Sequence, residues 1–142
     1  SRPLLHRLIG SMLIPASTYV TAQRARRIIC QEFDSAFEKL DVILTPTTPI
    51  VAPTIEECKK GVVEVDGKKV SLQPVGISLG TTFTVPFNVT GLPAISVCCG
   101  YTDGGLPIGL QIIGANFEET RVFQVANAYE QAARWFERRP LI

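Results

Sequence analysis

The stretch "PIGLQIIGA", Pro107–Ala115, decides the fold of this chain. It is apolar nearly throughout, and a short apolar run bounded by turn residues is typical of a strand that is buried on both faces. We therefore predict a strand over Ile108–Gly114 and place it at the centre of a sheet. The turn signal "DGG" at residues 103–105 separates it from a second predicted strand, Leu92–Val97.

The segments outside this pair predict two helices and a third strand. Ala16–Leu40 carries apolar residues at three- and four-residue steps, which indicates a long helix with an apolar stripe on one face. "DVILT", Asp41–Thr45, follows as a short apolar run that is stopped by prolines, and this predicts a fully buried strand. The last helix is predicted to begin at a capping Asn116 with Glu119 three residues later. Its predicted buried stripe is Val122, Val125, Ala126, Tyr129, Ala133 and Phe136, with Arg134, Arg138 and Arg139 near its end and Pro140 closing it.

Two further segments complete the prediction. Ile55–Pro74 is polar and is expected to be a surface excursion, in which Asp66-Gly67 between valines predicts a type I′ hairpin. "FTVPFNVTGLPAISVCCG", Phe83–Gly100, has no charged residue and is interpreted as a buried turn-and-strand connection. The order of helices and strands predicts an α/β fold.

The composition excludes several functional classes. With 142 residues, 46% of them hydrophobic and 19% charged, the chain suits one folded domain. A net charge of +1 gives no electrostatic basis for nucleic-acid binding, and no apolar run approaches the ~20 residues of a membrane span. Four cysteines without a Cys-x-x-Cys pair and a single histidine favour neither a zinc site nor a disulfide framework, so a cytoplasmic location is expected.

Candidate catalytic residues are scarce. No serine lies in a Gly-x-Ser-x-Gly elbow, and His6, the only histidine, is interpreted as structural or solvent-exposed. No glycine run has the spacing that binds phosphate. The residues by themselves predict neither a catalytic centre nor a metal or cofactor site.

Four blocks in the chain resemble the C-terminal part of the amidase-signature enzymes. In family order they are "IPASTYVTAQRARR", "DVILTPTTPIVAPTI", "FTVPFNVTGLPAISV" and "GGLPIGLQIIGANFEE". The resemblance implies an α/β fold with a mixed β-sheet covered by helices. It also implies that residues 1–142 are the C-terminal segment of an amidase domain whose catalytic N-terminal part is absent.

The same resemblance implies the chemistry. Amidase-signature enzymes hydrolyse carboxamides with a Ser–cis-Ser–Lys triad, in which one serine attacks the carbonyl and lysine is the base. This chain has no Gly-Ser-Ser-Gly-Gly-like run, and its lysines lie at a helix end or in the polar excursion. We therefore expect no catalytic residue, metal or cofactor in this chain, an inactive isolated segment, and a parent amidase that acts on a small-molecule amide.

By resemblance, the residues that bind substrate are Thr47, Thr81, Thr82 and Phe83. Relatives that act as the A subunit of glutamyl-tRNA amidotransferase usually have aspartate at the position of Thr81 and an arginine pair near Leu5 and His6. Both features are absent here, and a threonine forms no salt bridge with an ammonium group. This favours a broader amide or aryl-amide hydrolase over an enzyme that recognises free glutamine.

Two alternatives stay open. In the first, the chain is a fragment of the A subunit of a glutamyl-tRNA(Gln)/aspartyl-tRNA(Asn) amidotransferase. In the second, it is a non-catalytic module that binds a partner. An apolar sheet surface left uncovered requires a partner or self-association, so a homo-oligomer formed through an exposed sheet or helices is also considered.

Overall fold

The structure is a computed structural model that describes residue 10 and residues 12–72 and 79–138. Its residues divide into two compact units, one up to Glu38 and the other from Lys39 onwards. The expectations for Leu5, His6, Arg139 and Pro140 lie outside the described residues. None of the helices in the described ranges combines the length and the apolar character that a membrane crossing requires.

The first unit contains helix α1, Ala16–Phe37. The amide of Thr18 donates to the carbonyl of Pro15 (2.9 Å), and Pro15 is the N-cap residue. The prediction of a long helix is confirmed, but it ends three residues before Leu40, which is exposed. No described residue of α1 is fully buried, but Phe33, Ala36 and Phe37 of the predicted apolar stripe are half-buried.

The second unit contains five strands and three helices. In chain order they are β1 Val42–Pro46, α2 Ile55–Lys60, β2 Val62–Val65, β3 Lys68–Ser71, α3 Val85–Thr90, β4 Ala94–Tyr101, β5 Pro107–Gly114 and α4 Glu119–Ala133. Short 3₁₀ turns lie at Leu79–Thr81 and Trp135–Glu137. This arrangement confirms the α/β fold class.

Strand β5 is the centre of a three-stranded sheet with the order β1-β5-β4, as "PIGLQIIGA" predicted. Both pairings are antiparallel, with Leu44 opposite Ile112 and Ile95 opposite the same residue. The register of β4 shifts between Cys98 and Gly100, where a bulge bends the strand.

One face of this sheet packs against helix α4. Because residues directly opposite each other in antiparallel strands share a face, Val97, Leu110 and Ile112 project to the same side. They meet Val122 and Ala126 of α4 in the hydrophobic core, and Ile112 is fully buried. The predicted stripe of α4 is therefore confirmed at its centre.

Three details of these elements differ from the prediction. Strand β1 is not fully buried, since it pairs only with β5 among the described strands and Leu44 is 55% exposed. Helix α4 begins at Glu119, and its N-cap residue is Glu118, which makes no side-chain capping hydrogen bond. The prediction of Asn116 as the N-cap residue is therefore wrong. Phe136 is 52% exposed because α4 ends at Ala133, and Arg134 then adopts a left-handed conformation.

The Ile55–Pro74 segment contains the predicted hairpin and a helix that was not predicted. Strands β2 and β3 pair across Asp66 (φ 50°) and Gly67 (φ 73°), as a type I′ turn requires. Helix α2 begins with a capping box, in which Thr54 and Glu57 bond each other's backbone amides. The Thr-x-x-Glu pattern is the sequence signal for this helix.

Helix α3 lies where a turn-and-strand connection was expected. Pro86 occupies its first turn, a position where the missing amide hydrogen has no cost. Gly91 ends it in the left-handed conformation (φ 85°), and its amide donates to Phe87 O (2.8 Å). Phe87 and Thr90 are buried, so the interpretation of this segment as buried is confirmed in part.

Candidate functional site

The second face of the three-stranded sheet is polar near the end of β1. We call this the polar face and define it by Thr45, Thr47, Ser96, Gly109 and Gln111. Thr45 and Ser96 both stand opposite Gln111 in the strand register. Gly109 lies two residues before Gln111 on β5 and therefore projects to the same side.

Gln111 joins three segments on the polar face. Its side-chain nitrogen Nε2 donates to Thr45 Oγ1 (3.0 Å) and to the carbonyl oxygen of Phe83 (3.1 Å). Gln111 is only 4% exposed, and a buried amide of this kind requires partners. The bond to Phe83 attaches the segment before helix α3 to the central strand.

Thr47 and Ser96 meet above Gly109. Their hydroxyl oxygens lie 2.6 Å apart and share a hydrogen bond, and the amide of Thr47 donates to Gly109 O (2.9 Å). A Cβ atom at Gly109 would lie 2.7 Å from Thr47 Oγ1 and 3.1 Å from Ser96 Oγ. Glycine is thus required at position 109 for the two hydroxyls to approach each other across the central strand.

The segment of the other three candidates forms a tight turn. Thr82 Oγ1 donates to Leu79 O (3.0 Å), and Thr84 Oγ1 donates to Thr81 O (3.1 Å). Thr81 and Thr82 are exposed, and Phe83 is half-buried. The hydroxyl hydrogen of Thr82 is therefore used within the turn, whereas its oxygen can still accept a hydrogen bond.

A cleft of about 550 Å³ adjoins both candidate segments. Thr48, the residue after Thr47, and Gly80, the residue before Thr81, both line it. The cleft-lining residues that the structure describes are all uncharged: Thr48, Ile50, Val51, Ala52, Pro53, Cys58, Gly61, Leu72 and Gly80. A cleft of this composition suits an uncharged and mainly apolar group.

Two groups of charged side chains lie outside the five residues of the polar face. Arg121 pairs with Asp41 and with Glu118 on the surface of α4. Arg138 stacks 4.2 Å from the ring centre of Tyr101, and burial raises the pKa of that tyrosine hydroxyl. Within the described ranges no cluster of three or more His, Cys, Asp or Glu residues could hold a metal ion.

The predicted site residues thus fall into two groups, one in contact with strand β5 and the other next to the cleft. Strand β5 contacts Thr47 through Gly109 and Phe83 through Gln111, while Thr81 and Thr82 follow the cleft-lining Gly80. Sequence reasoning missed Ser96 and Gln111. For Gln111 a signal existed, because it is the one polar side chain in "PIGLQIIGA" and a polar residue in a central strand requires a hydrogen-bond partner.

Comparisons with known proteins agree with this architecture. The family profile named Amidase matches residues 3–123. The A subunit of glutamyl-tRNA(Gln) amidotransferase from Brevibacillus brevis is 48% identical over 122 residues, which cover 86% of this chain and 22% of that protein.

Two solved structures have the same fold over nearly the whole chain. The A subunit of glutamyl-tRNA(Gln) amidotransferase from Thermotoga maritima matches with a TM-score of 0.67 at 32% identity, over 94% of this chain and 27% of that one. A bacterial aryl acylamidase of the amidase-signature family matches with a TM-score of 0.73 at 25% identity, over 99% of this chain and 29% of that one. The chain spans about a quarter of the length of these relatives. Because the Amidase profile matches residues 3–123, this chain belongs to the amidase family.

Proposed function

We propose that residues 1–142 are the C-terminal segment of an amidase-type hydrolase that cleaves carboxamide C–N bonds. In this proposal the segment supplies a sheet and one side of the substrate site, including Thr47, Thr81, Thr82 and Phe83. The serine nucleophile, the bridging serine and the lysine base come from residues outside this chain. The family match supports the reaction class.

The observation that carries the substrate side of the proposal is the cleft next to Thr47 and Thr81, whose described lining residues are all uncharged. A charged substrate group that entered this cleft would lose hydration without gaining an ion pair from any of these described residues, which costs several kcal/mol. An alkyl or aryl group would instead gain from burial at ~25 cal/mol per Å². The cleft therefore favours the amide of an uncharged, mainly apolar molecule.

A second candidate function follows from the names of the relatives. The relative with 48% identity is the A subunit of a glutamyl-tRNA(Gln) amidotransferase, so the same role for this protein is the competing proposal. The neutral hydroxyl at Thr81 argues against it, because free glutamine carries an ammonium group that a carboxylate would bind more strongly.

Self-association and location are part of the same proposal. Leu44 on the edge strand β1 and Phe123 on α4 are 55% and 61% exposed, and such apolar surface supports a homo-oligomer. The four cysteines, all within the described ranges, are thiols and not disulfides, which supports a cytoplasmic location. Light scattering at micromolar concentration tests the oligomer, and a monomer at all concentrations contradicts it.

The experiment that tests the activity compares this chain with a longer protein that contains it. The chain alone is expected to give no turnover of aliphatic or aryl amides, whereas the longer protein hydrolyses them. Hydrolysis of free glutamine in preference to apolar amides would favour the competing proposal. Sustained turnover by the purified chain alone would refute the assignment of the nucleophile to residues outside it.

A matched pair of substitutions tests the cleft in the longer protein. Ala52 lines the cleft, and Ala132 is exposed on helix α4 outside it. Ala52→Asp introduces a carboxylate at the cleft and is expected to raise KM for an apolar amide by about tenfold, since ~1.4 kcal/mol corresponds to that factor. Ala132→Asp adds the same charge and is expected to leave KM unchanged. Equal KM values in both variants contradict a substrate role for the cleft.

A further inference from the structure

We propose that Gln111 is a positioning residue for the substrate site: its side-chain amide holds the Thr81–Phe83 segment against the central strand. This inference rests on the proposed function, because it concerns residues that we assign to substrate binding. Gln111 itself is buried and does not line the cleft. It acts through the segment that it holds.

The contacts of Gln111 span the second unit. The two hydrogen atoms of its amide reach Thr45 on β1, 66 residues away in sequence, and Phe83, 28 residues away. Gln111 is 4% exposed, and its two partners, Thr45 and Phe83, are half-buried. A partly buried carbonyl that loses its donor is poorly hydrated, so breaking the bond to Phe83 costs free energy.

Two backbone hydrogen bonds inside the turn shape it locally. The amide of Thr82 donates to Leu79 O (3.3 Å), and the amide of Thr84 donates to Thr81 O (3.1 Å). Each of these bonds spans three residues and fixes only local conformation. The Gln111–Phe83 bond is different, because it joins the turn to β5.

Strand β5 also holds the other candidate. Thr47 donates its amide to Gly109 O (2.9 Å), two residues before Gln111. One strand therefore sets the position of Thr47 and of Phe83, and the distance between them depends on β5. A substrate that contacts both segments requires this spacing to be fixed before it binds.

The first test is hydrogen exchange of the chain itself. Gln111→Met preserves the length and apolar stem of the side chain and removes both donors. Thr45→Val is the matched control, since it removes the partner of one donor and leaves the Phe83 bond in place. Gln124→Met makes the same chemical change on the exposed face of α4.

We expect exchange in residues 79–84 to become about tenfold faster in Gln111→Met, because the half-buried Phe83 carbonyl loses the donor that joins the turn to β5. Sheet amides in β4 and β5 retain their protection, which shows that the fold is intact. Thr45→Val and Gln124→Met leave the exchange of residues 79–84 within about twofold of the wild type. Unchanged exchange of this segment in Gln111→Met would overturn the proposal, as would an equal acceleration in Thr45→Val.

The second test is kinetic and uses the longer protein. Gln111→Met is expected to lower kcat/KM for an apolar amide by about tenfold, mainly through a higher KM. A merely structural role would instead reduce the fraction of active enzyme, so that kcat falls and KM stays constant. That second pattern overturns the positioning role. If the wild-type longer protein hydrolyses no amide, the proposed function fails, whereas the contact is judged by the exchange experiment alone.

Discussion

Gly109→Ala perturbs the contact that brings the Thr47 and Ser96 hydroxyls together. The added methyl group would lie 2.7 Å from Thr47 Oγ1, 3.0 Å from Thr47 Cβ and 3.1 Å from Ser96 Oγ. Ordinary contacts between non-bonded carbon atoms are ~3.5–4.0 Å. The neighbours must therefore move by several tenths of an ångström, and Thr47 Cβ can move only with its backbone.

The magnitude follows from two opposing effects. Overpacking of this kind costs ~1–3 kcal/mol. Replacement of glycine by alanine at a permitted backbone conformation stabilises the folded state by ~0.4–1 kcal/mol, because it lowers the conformational entropy of the unfolded chain. We expect a net loss of about 1–2 kcal/mol in the free energy of unfolding. For a unit of this size that loss lowers Tm by about 5–10 °C.

Urea unfolding followed by the fluorescence of Trp135 measures this loss. Trp135 is the only tryptophan, and its ring centre lies 5.8 Å from that of Tyr101 at the end of β4, so it reports on the same sheet. Gly104→Ala is the matched control, because a Cβ there meets only Thr102 Oγ1 at an ordinary 3.7 Å. This variant is expected to be as stable as the wild type or slightly more stable.

The double variant Gly109→Ala/Thr47→Ala tests the cause directly. Removing the threonine hydroxyl relieves the shortest contact. The double variant should therefore lose less stability than the sum of the losses in Gly109→Ala and Thr47→Ala. The reasoning is refuted if Gly109→Ala unfolds like the wild type, or if Gly104→Ala loses as much stability. Strict additivity in the double variant would place the loss elsewhere than at Thr47.

Two further predictions concern contacts at the first turns of helices α4 and α2. Gly114→Ala would place a methyl group 2.6 Å from Val122 Cγ2 and is expected to cost ~1–3 kcal/mol, with partial rescue by Val122→Ala in thermal unfolding; an unchanged Tm would contradict it. Hydrogen bonds from the backbone amide of Thr54, and then from its hydroxyl, lower the pKa of Glu57. The ionised Glu57 cap of α2 therefore stabilises the fold at pH values above the ordinary glutamate pKa of ~4.3, and this stabilisation is lost as the pH falls through the lowered pKa. Unfolding measured against pH should show Glu57→Gln less stable than the wild type at neutral pH and equal to it in acid, and a difference that does not vary with pH would refute this.

Local patterns predicted the elements whose signals are contained in a few neighbouring residues. The apolar run around Ile112 predicted the central strand, and Asp66-Gly67 predicted the hairpin, because turn geometry and strand burial select residue types directly. Helix α2 was predictable from Thr54 and Glu57 but was missed, since the segment's polarity favoured a loop. The exposed edge strand β1 was not predictable from "DVILT", because an apolar run does not specify on how many sides it is covered.

The sequence by itself determined the α/β fold class, the central strand and, through four ordered blocks, the resemblance to the amidase family. Only the tertiary structure decided which residues meet on the polar face. Thr47 and Ser96 are 49 residues apart, and Gln111 reaches partners 66 and 28 residues away. Hydrophobic periodicity carries information over a few residues, whereas the register of β1 and β4 on β5 brings these side chains together. That register places Gly109 where a larger residue would separate the two hydroxyls.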